Sequence, residues 1–412
     1  MFKLIIFYLI ISSYSLFSQS DSLKNYWIKS DYDKLINTGE ELISKDSATA
    51  EDYILIANTY KSTLENQKAL RTLQKGIKKF PTTNELRYNL ANIYYNIGEN
   101  KRCISIIDSL NKNDSLNKKY LILSLKSHQK AKKYKEALTI SNKLISIDST
   151  KAVFQYKSAY FLSKLKKPKE ALKRINQTIE LDSNYLPAYK LAAMIYTKQH
   201  KYDTSLYYIN KAIEIDSNKI ELYRDRGNIY YYKDDTEDAL PDLLRYTKTD
   251  TADSKSIFKI GVCYMDLFDY KKGKTAFRKT YELDSLNYKM SQYLGMMYAE
   301  FNQLDSSIYY LEKSYKLIQP DEKIVNMLNK QLATAYYRKD EYKKALPFLK
   351  EIQKVEYDIY NDYMIAECYY FLNDYKTALK YYNKLDNINK YYKEKIDKRK
   401  AKIKEELFFE KP

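Results

Sequence analysis

Small side chains stand at a fixed interval among bulkier apolar ones. Ala69, Cys103, Ala137, Ala171, Ser205, Ala239, Gly273 and Ser307 follow one another thirty-four residues apart, with Leu35 one period earlier. A second small column runs twelve residues ahead: Ala57, Ala91, Leu125, Ala159, Ala193, Gly227, Gly261, Gly295, Ala333 and Ala366. Three residues beyond each of these comes a large, mostly aromatic side chain: Tyr60, Tyr94, His128, Leu162, Tyr196, Tyr230, Tyr264, Tyr298, Tyr336 and Tyr369. A small residue followed by a large one at helical spacing lets two helices approach closely and fills the gap beside them. Each period therefore predicts a pair of helices, and counting through gives about eleven units. After Ser307 the interval stretches to thirty-eight at Ala345 and shrinks to thirty-three at Ala378, which predicts a four-residue insertion near Gln319 to Lys323.

The polar positions carry their own phase. Asp46-Ser47, Asp114-Ser115, Asp148-Ser149, Asp182-Ser183, Asp216-Ser217, Asp250-Thr251 and Asp284-Ser285 fall where one unit ends and the next helix begins. Short oxygen-bearing side chains at such a place are expected to cap the free amides of the incoming helix. Seven glycines and seven prolines punctuate 412 residues, so little loop is left for elaborate sites. A single core stops growing near about 250 to 300 residues, whereas stacked units pack only on their neighbours. One elongated domain without an internal linker is expected.

The segments Tyr88 to Ile107 (YNLANIYYNIGENKRCISII), Tyr189 to Ala212 and Tyr293 to Tyr315 combine an aromatic, a small residue and Tyr in the first helix with a small residue in the second. In this the chain resembles the tetratricopeptide repeat family, over residues 19 to about 387. The family's closing Pro is in register only as Pro81, with Pro320 one place late; Asp-Ser or Asp-Thr usually replaces it. The resemblance implies an all-α fold, a right-handed superhelical solenoid of about eleven helix-turn-helix repeats. Residues 388–412, with Ile396, Ile403 and Leu407 on one narrow stripe, would cap the open end, and Phe408 and Phe409 could alternatively dock a partner.

In that family the first helices line a concave groove. The resemblance puts the residue after each small first-helix slot, and the one three before it, into that groove. Asn58, Asn92, Lys126, Tyr160 and Asn228 occupy the first slot, and Tyr88, Tyr156, Lys190 and Arg224 the second. Rings, amides and cations in this mixture suit a peptide. Further groove slots of the fourth to sixth repeats add Lys119, Lys130, Lys164 and Lys198, with no acid on the same slots, so an acidic or carboxylate-bearing partner is expected there. Asn58, Asn92 and Lys126 are similar to the carboxylate clamp of tetratricopeptide domains that bind chaperone tails. Its two further basic residues would fall at Ile54 and Ile122, which hold no anion.

The formal net charge is +18, with Lys and Arg spread over most helices, which favours solubility over a dedicated nucleic-acid face. Lys3 precedes an apolar stretch from Leu4 to Phe17, about fourteen residues and too short to span a bilayer. Residues 1–18 read as a secretory signal cleaved near Ser18-Gln19, and with Lys3 gone the net charge becomes +17. Cys103, Cys263 and Cys368 sit in repeat slots as small buried hydrophobes, several repeats apart, and no disulfide is expected. His128 occupies the aromatic column as a core ring and His200 a turn. No nucleophile elbow, phosphate-cradling glycine loop or metal-spaced Cys/His cluster is found, so no catalytic residue, metal or cofactor is assigned. The expected function is a non-enzymatic scaffold or adaptor of the cell envelope. It would be exported to the periplasm or the periplasmic face of the outer membrane, as the likeness to exported tetratricopeptide proteins of Gram-negative bacteria implies. The alternative is the sensing component of an envelope signalling system.

Overall fold

The computed structural model describes residues 21–318, 321–356, 358–385 and 388–409, with side chains to 406. The expected leader, residues 1–18, lies outside them, as do the side chains of Leu407, Phe408 and Phe409. All regular structure among the described residues is helical, and it divides into two compact units after Ile195. The first unit holds a helix over 21–28 (α1), Tyr32–Ser44 (α2), Ala50–Ser62 (α3), Asn66–Lys79 (α4), Asn84–Asn96 (α5), Asn100–Asn113 (α6), Lys118–Lys130 (α7), Tyr134–Ile147 (α8), Ala152–Lys164 (α9) and Pro168–Leu181 (α10). The division falls within Leu186–Lys198 (α11). The second unit continues with Tyr202–Ile215 (α12), Ile220–Tyr232 (α13), Thr236–Thr247 (α14), Ser254–Asp266 (α15), Tyr270–Leu283 (α16) and Tyr288–Glu300 (α17). It ends with Leu304–Leu317 (α18), Glu322–Arg338 (α19), Tyr342–Val355 (α20), Ile359–Phe371 (α21), Tyr375–Tyr382 (α22) and Lys390–Phe409 (α23).

Within each unit consecutive helices pack as antiparallel hairpins, and the small columns explain why. A Cβ added to Gly261 would stand 2.7 Å from a Phe277 ring carbon, and one on Gly295 would stand 2.8 Å from Leu311 Cγ. The large side chain of the second helix thus lies directly on the backbone of the first, and anything bulkier would push the pair apart. The aromatic column then stacks on the second helix twelve residues later. Tyr298 lies 5.4 Å from Tyr310 at 1°, and Tyr336 lies 5.9 Å from Phe348 at 10°. His128 is buried with Nδ1 2.9 Å from the Ser124 carbonyl, as a core ring. The insertion takes the form of one extra helical turn: α19 has 17 residues where α17 has 13.

Two local features depart from expectation. In five of the seven pairs the Asp ends the preceding helix instead of capping the next: Asp114, Asp148, Asp182, Asp216 and Asp284 are C-cap residues, while Asp46 and Asp250 lie just beyond the C-caps Lys45 and Lys248. Their carboxylates hold the connecting turn, Asp182 and Asp216 accepting from the amides of Asn184 and Asn218. The incoming helix is capped three residues later, by Asn117, Asp253 or Asn287, because only that residue is next to the free amides. Each hairpin turn also carries one residue in the left-handed region, and Gly98 is the only glycine among Leu64, Gly98, Lys132, Lys166, His200, Asp234, Phe268 and Asn302.

First helices of neighbouring hairpins touch directly, α3 with α5 and α5 with α7, and likewise α13 with α15 and α17 with α19 in the second unit. Among the described residues no pair of second helices approaches as closely. Each unit therefore curves with its first helices on the inner side.

Candidate functional site: the inner face of the first helices

A first helix spends its small residue on its own hairpin partner, so the residues one after and three before that slot project from the inner side. In the first unit this puts Asn58 on α3, Tyr88 and Asn92 on α5, Lys126 on α7, and Tyr156 and Tyr160 on α9. Lys119 and Lys130 near the two ends of α7 and Lys164 at the end of α9 are the further slots, and every one of these residues is half-buried or exposed. The side chains of Asn58, Asn92 and Lys126 make no hydrogen bond or ion pair among the described residues.

Lys119 is not open. Its Nζ lies 2.5 Å from Glu85 Oε1 and 4.2 Å from the Tyr88 ring centre. Glu85 stands thirty-four residues earlier in the same slot, so the acid missing from the expected basic stretch comes from the neighbouring repeat. Lys130 lies over the Tyr95 ring at 5.0 Å and Lys164 over Tyr160 at 5.3 Å. The Tyr88 ring packs 5.7 Å from Tyr120 and Tyr156 packs 5.2 Å from Tyr185. Burial, with Tyr185 and Tyr160 adding to it, pushes the Tyr156 hydroxyl up to about 12, so it remains a neutral donor.

One inner-face cation was not expected from the sequence. Lys157 on α9 is half-buried and reaches back to α7, Nζ donating to Gln129 Oε1 at 3.1 Å. Burial, and then the charge of Lys126, hold its ammonium below the ordinary lysine range. Lys126 and Lys157 thus face each other's field without a carboxylate between them, which is the electrostatic condition for holding an anion. The signal was present in the sequence: the slot two before the small column reads Leu55, Asn89, Leu123, Lys157, Leu191, and one lysine interrupts a largely apolar run.

The remaining expected residues divide differently. Lys190 is half-buried on the part of α11 in the first unit, and Lys198 is exposed on the part in the second. In the second unit Arg224 is turned inward, donating to the Tyr246 hydroxyl at 3.3 Å and pairing with Asp225 at 3.1 Å. Asn228 accepts from Lys259 Nζ at 2.5 Å, and Lys330 pairs with Glu356. Glu367, fully buried, receives Arg399 Nε at 3.3 Å, Lys395 Nζ at 3.5 Å and the Tyr382 hydroxyl. Arg399 and Lys395 come from α23, whose Ile396 and Ile403 join the core of the last hairpin.

Elsewhere in the first unit a cleft of about 370 Å³ opens among α8, α9 and α10, lined by Leu138, Asn142, Ser158, Leu162, Lys173 and Arg174. Arg174 is already satisfied there by Gln155 and Gln177. Among the described residues no group of three or more His, Cys, Asp or Glu could hold a metal, and no helix is long and apolar enough to cross a membrane.

Two segments match models of the tetratricopeptide repeat, residues 254–285 and 360–387. Among solved structures the chain is similar to YrrB, described as a TPR protein with an unusual peptide-binding site, at 23% identity over 44% of this chain and 93% of that one, TM-score 0.40. It is similar to a tetratricopeptide repeat protein from Parabacteroides merdae at 16% identity over 60% of this chain and 98% of that one, TM-score 0.49. MamA from Desulfovibrio magneticus aligns at 19% identity over 40% of this chain and 94% of that one, TM-score 0.39. No curated protein matches the chain. The hairpins at 254–285 and 360–387 are tetratricopeptide repeats, and the small and aromatic columns run through the other hairpins in the same phase.

Proposed function

We propose that the protein is a non-enzymatic interaction scaffold whose first unit captures an acidic or carboxylate-bearing peptide segment on the inner face of α3, α5, α7 and α9. Tetratricopeptide repeats are protein-interaction modules, and this chain carries them. The observation that carries the reading is the set Lys126, Lys130, Lys157 and Lys164, none of them in an ion pair with a carboxylate among the described residues, beside the rings of Tyr95, Tyr156 and Tyr160. Cationic heads would steer an acidic segment to the face, and the rings and the open amides of Asn58 and Asn92 would hold its backbone. The apolar leader over residues 4–17 supports placing this scaffold outside the cytoplasm, in the envelope.

Crosslinking in the intact envelope, comparing the wild type with the triple variant Lys126→Glu, Lys130→Glu, Lys164→Glu, tests the proposal. The variant should keep its helicity and lose the captured partner. Equal capture by both proteins removes the groove from the account.

A further inference from the structure

The hairpin turns carry a second pattern. The residue that opens each second helix is Asp31, Glu65, Glu99, Lys133, Lys167, Lys201, Asp235, Asp269, Gln303, Glu341 and Asp374. Helix physics favours an acid here, because four free amides and the positive end of the macrodipole meet at this point. Asp31, Asp269 and Asp374 accept a backbone amide as expected. Lys133, Lys167 and Lys201 do the opposite: none makes a side-chain cap bond, and each adds its charge to the positive helix end. A residue type that opposes local stability in consecutive repeats needs another reason to be there.

The surroundings supply one. The turn between α7 and α8 exposes Lys132 and Lys133 and the start of α8 adds Lys135; the turn between α9 and α10 exposes Lys166 and Lys167 and the start of α10 adds Lys169. Against these six stand Glu136 and Glu170, and among the described residues only Lys167 of the six is in an ion pair, 3.0 Å from Glu170. Lys132 and Lys166 hold the left-handed position of their turns and are exposed. No stacking platform for a nucleobase is free at this edge, since the Tyr134 ring is stacked 6.4 Å from Phe161. Leu165 is half-buried and no large apolar side chain projects from either turn.

We infer that this turn edge of the first unit is an electrostatic contact for an anionic lipid bilayer, through lysine to lipid-phosphate pairing without insertion of apolar groups. Lysines carried at turn tips, outside any cleft, are complementary to a flat anionic surface and not to a ligand that must be enclosed. The contact uses none of the residues placed on the inner face, so peptide capture and bilayer contact can be probed by separate variants.

The test is co-sedimentation of the full chain with phosphatidylglycerol-containing phosphatidylcholine vesicles and with phosphatidylcholine vesicles alone. The wild type should sediment only with the anionic vesicles, and progressively less as salt rises. The variant Lys132→Glu, Lys133→Glu, Lys166→Glu, Lys167→Glu should bind more than about a hundredfold more weakly. Its melting temperature should hold or rise, since acids now open α8 and α10. The charge-matched reversal of Lys248, Lys255, Lys279 and Lys289, exposed in the second unit, should bind nearly as the wild type does. Equal loss in both variants would reduce the effect to net charge and overturn the inference. So would capture of a soluble acidic glycan or of RNA by this edge with no vesicle binding.

Discussion

The two units differ in how many inner-face side chains of their first helices find an internal partner. In the first, Lys119 is paired with Glu85, but Asn58, Asn92 and Lys126 make no side-chain hydrogen bond or ion pair among the described residues, and Lys157 reaches an amide oxygen. In the second, Arg224 is tied to Asp225 and Tyr246, Asn228 to Lys259, Gln292 to Gln331, Lys330 to Glu356, and Glu367 to two cations and a tyrosine. The same repeat position can therefore tie neighbouring hairpins together or leave its side chain unbonded among the described residues. Where the partner is internal, the slot contributes to stability; where it is absent, the side chain stays solvated and adds little.

This contrast can be attacked at its strongest point first. Glu367→Leu strands Arg399 and Lys395 beside buried tyrosyl hydroxyls and should cost about 3 kcal/mol in a denaturant titration, while leaving peptide binding by the first unit untouched. A binding defect with unchanged stability would reverse the assignment of the two units. A smaller effect is expected at Lys157. A carboxylate binds the ammonium form, so affinity should decline as pH rises through the depressed pKa of Lys157, earlier than an ordinary lysine near 10.5 would allow. Lys157→Arg, which stays charged, should abolish the alkaline decline in a fluorescence titration of an acidic peptide; the same decline in both proteins would take Lys157 out of the site. The smallest effect concerns what the units share. Leu64 in the first and Phe268 in the second hold φ of 64° and 59° at equivalent turns. Leu64→Gly and Phe268→Gly should each gain about 1 kcal/mol, since glycine adopts this conformation without a Cβ penalty. A gain in one unit alone would mean that the turn scaffold is not common to both.

The hairpins were legible because close helix packing demands small residues at fixed phase, and thirty-four-residue columns of Ala, Gly and Ser have no other simple cause. The inserted turn of α19 was legible for the same reason, as a slip in that phase. The left-handed turn slot was not, because Leu64, Lys132 and Phe268 give no sign of a conformation normally marked by glycine. Capping was misplaced by three residues: an Asp that accepts a local amide looks the same in sequence whether it ends one helix or starts the next. The pairing of Lys119 is not visible in its own repeat because its acid, Glu85, lies in the neighbouring one.

The sequence by itself determined the helical hairpins, their register and the residues that face one another inside each pair, since these follow from size and spacing along a single period. Only the tertiary structure decided which inner-face cations stay free. That outcome depends on whether a long, flexible side chain finds a carboxylate or an amide some thirty residues away in the chain, a contact made across the seam between stacked hairpins, as Lys119 with Glu85 and Lys157 with Gln129 illustrate.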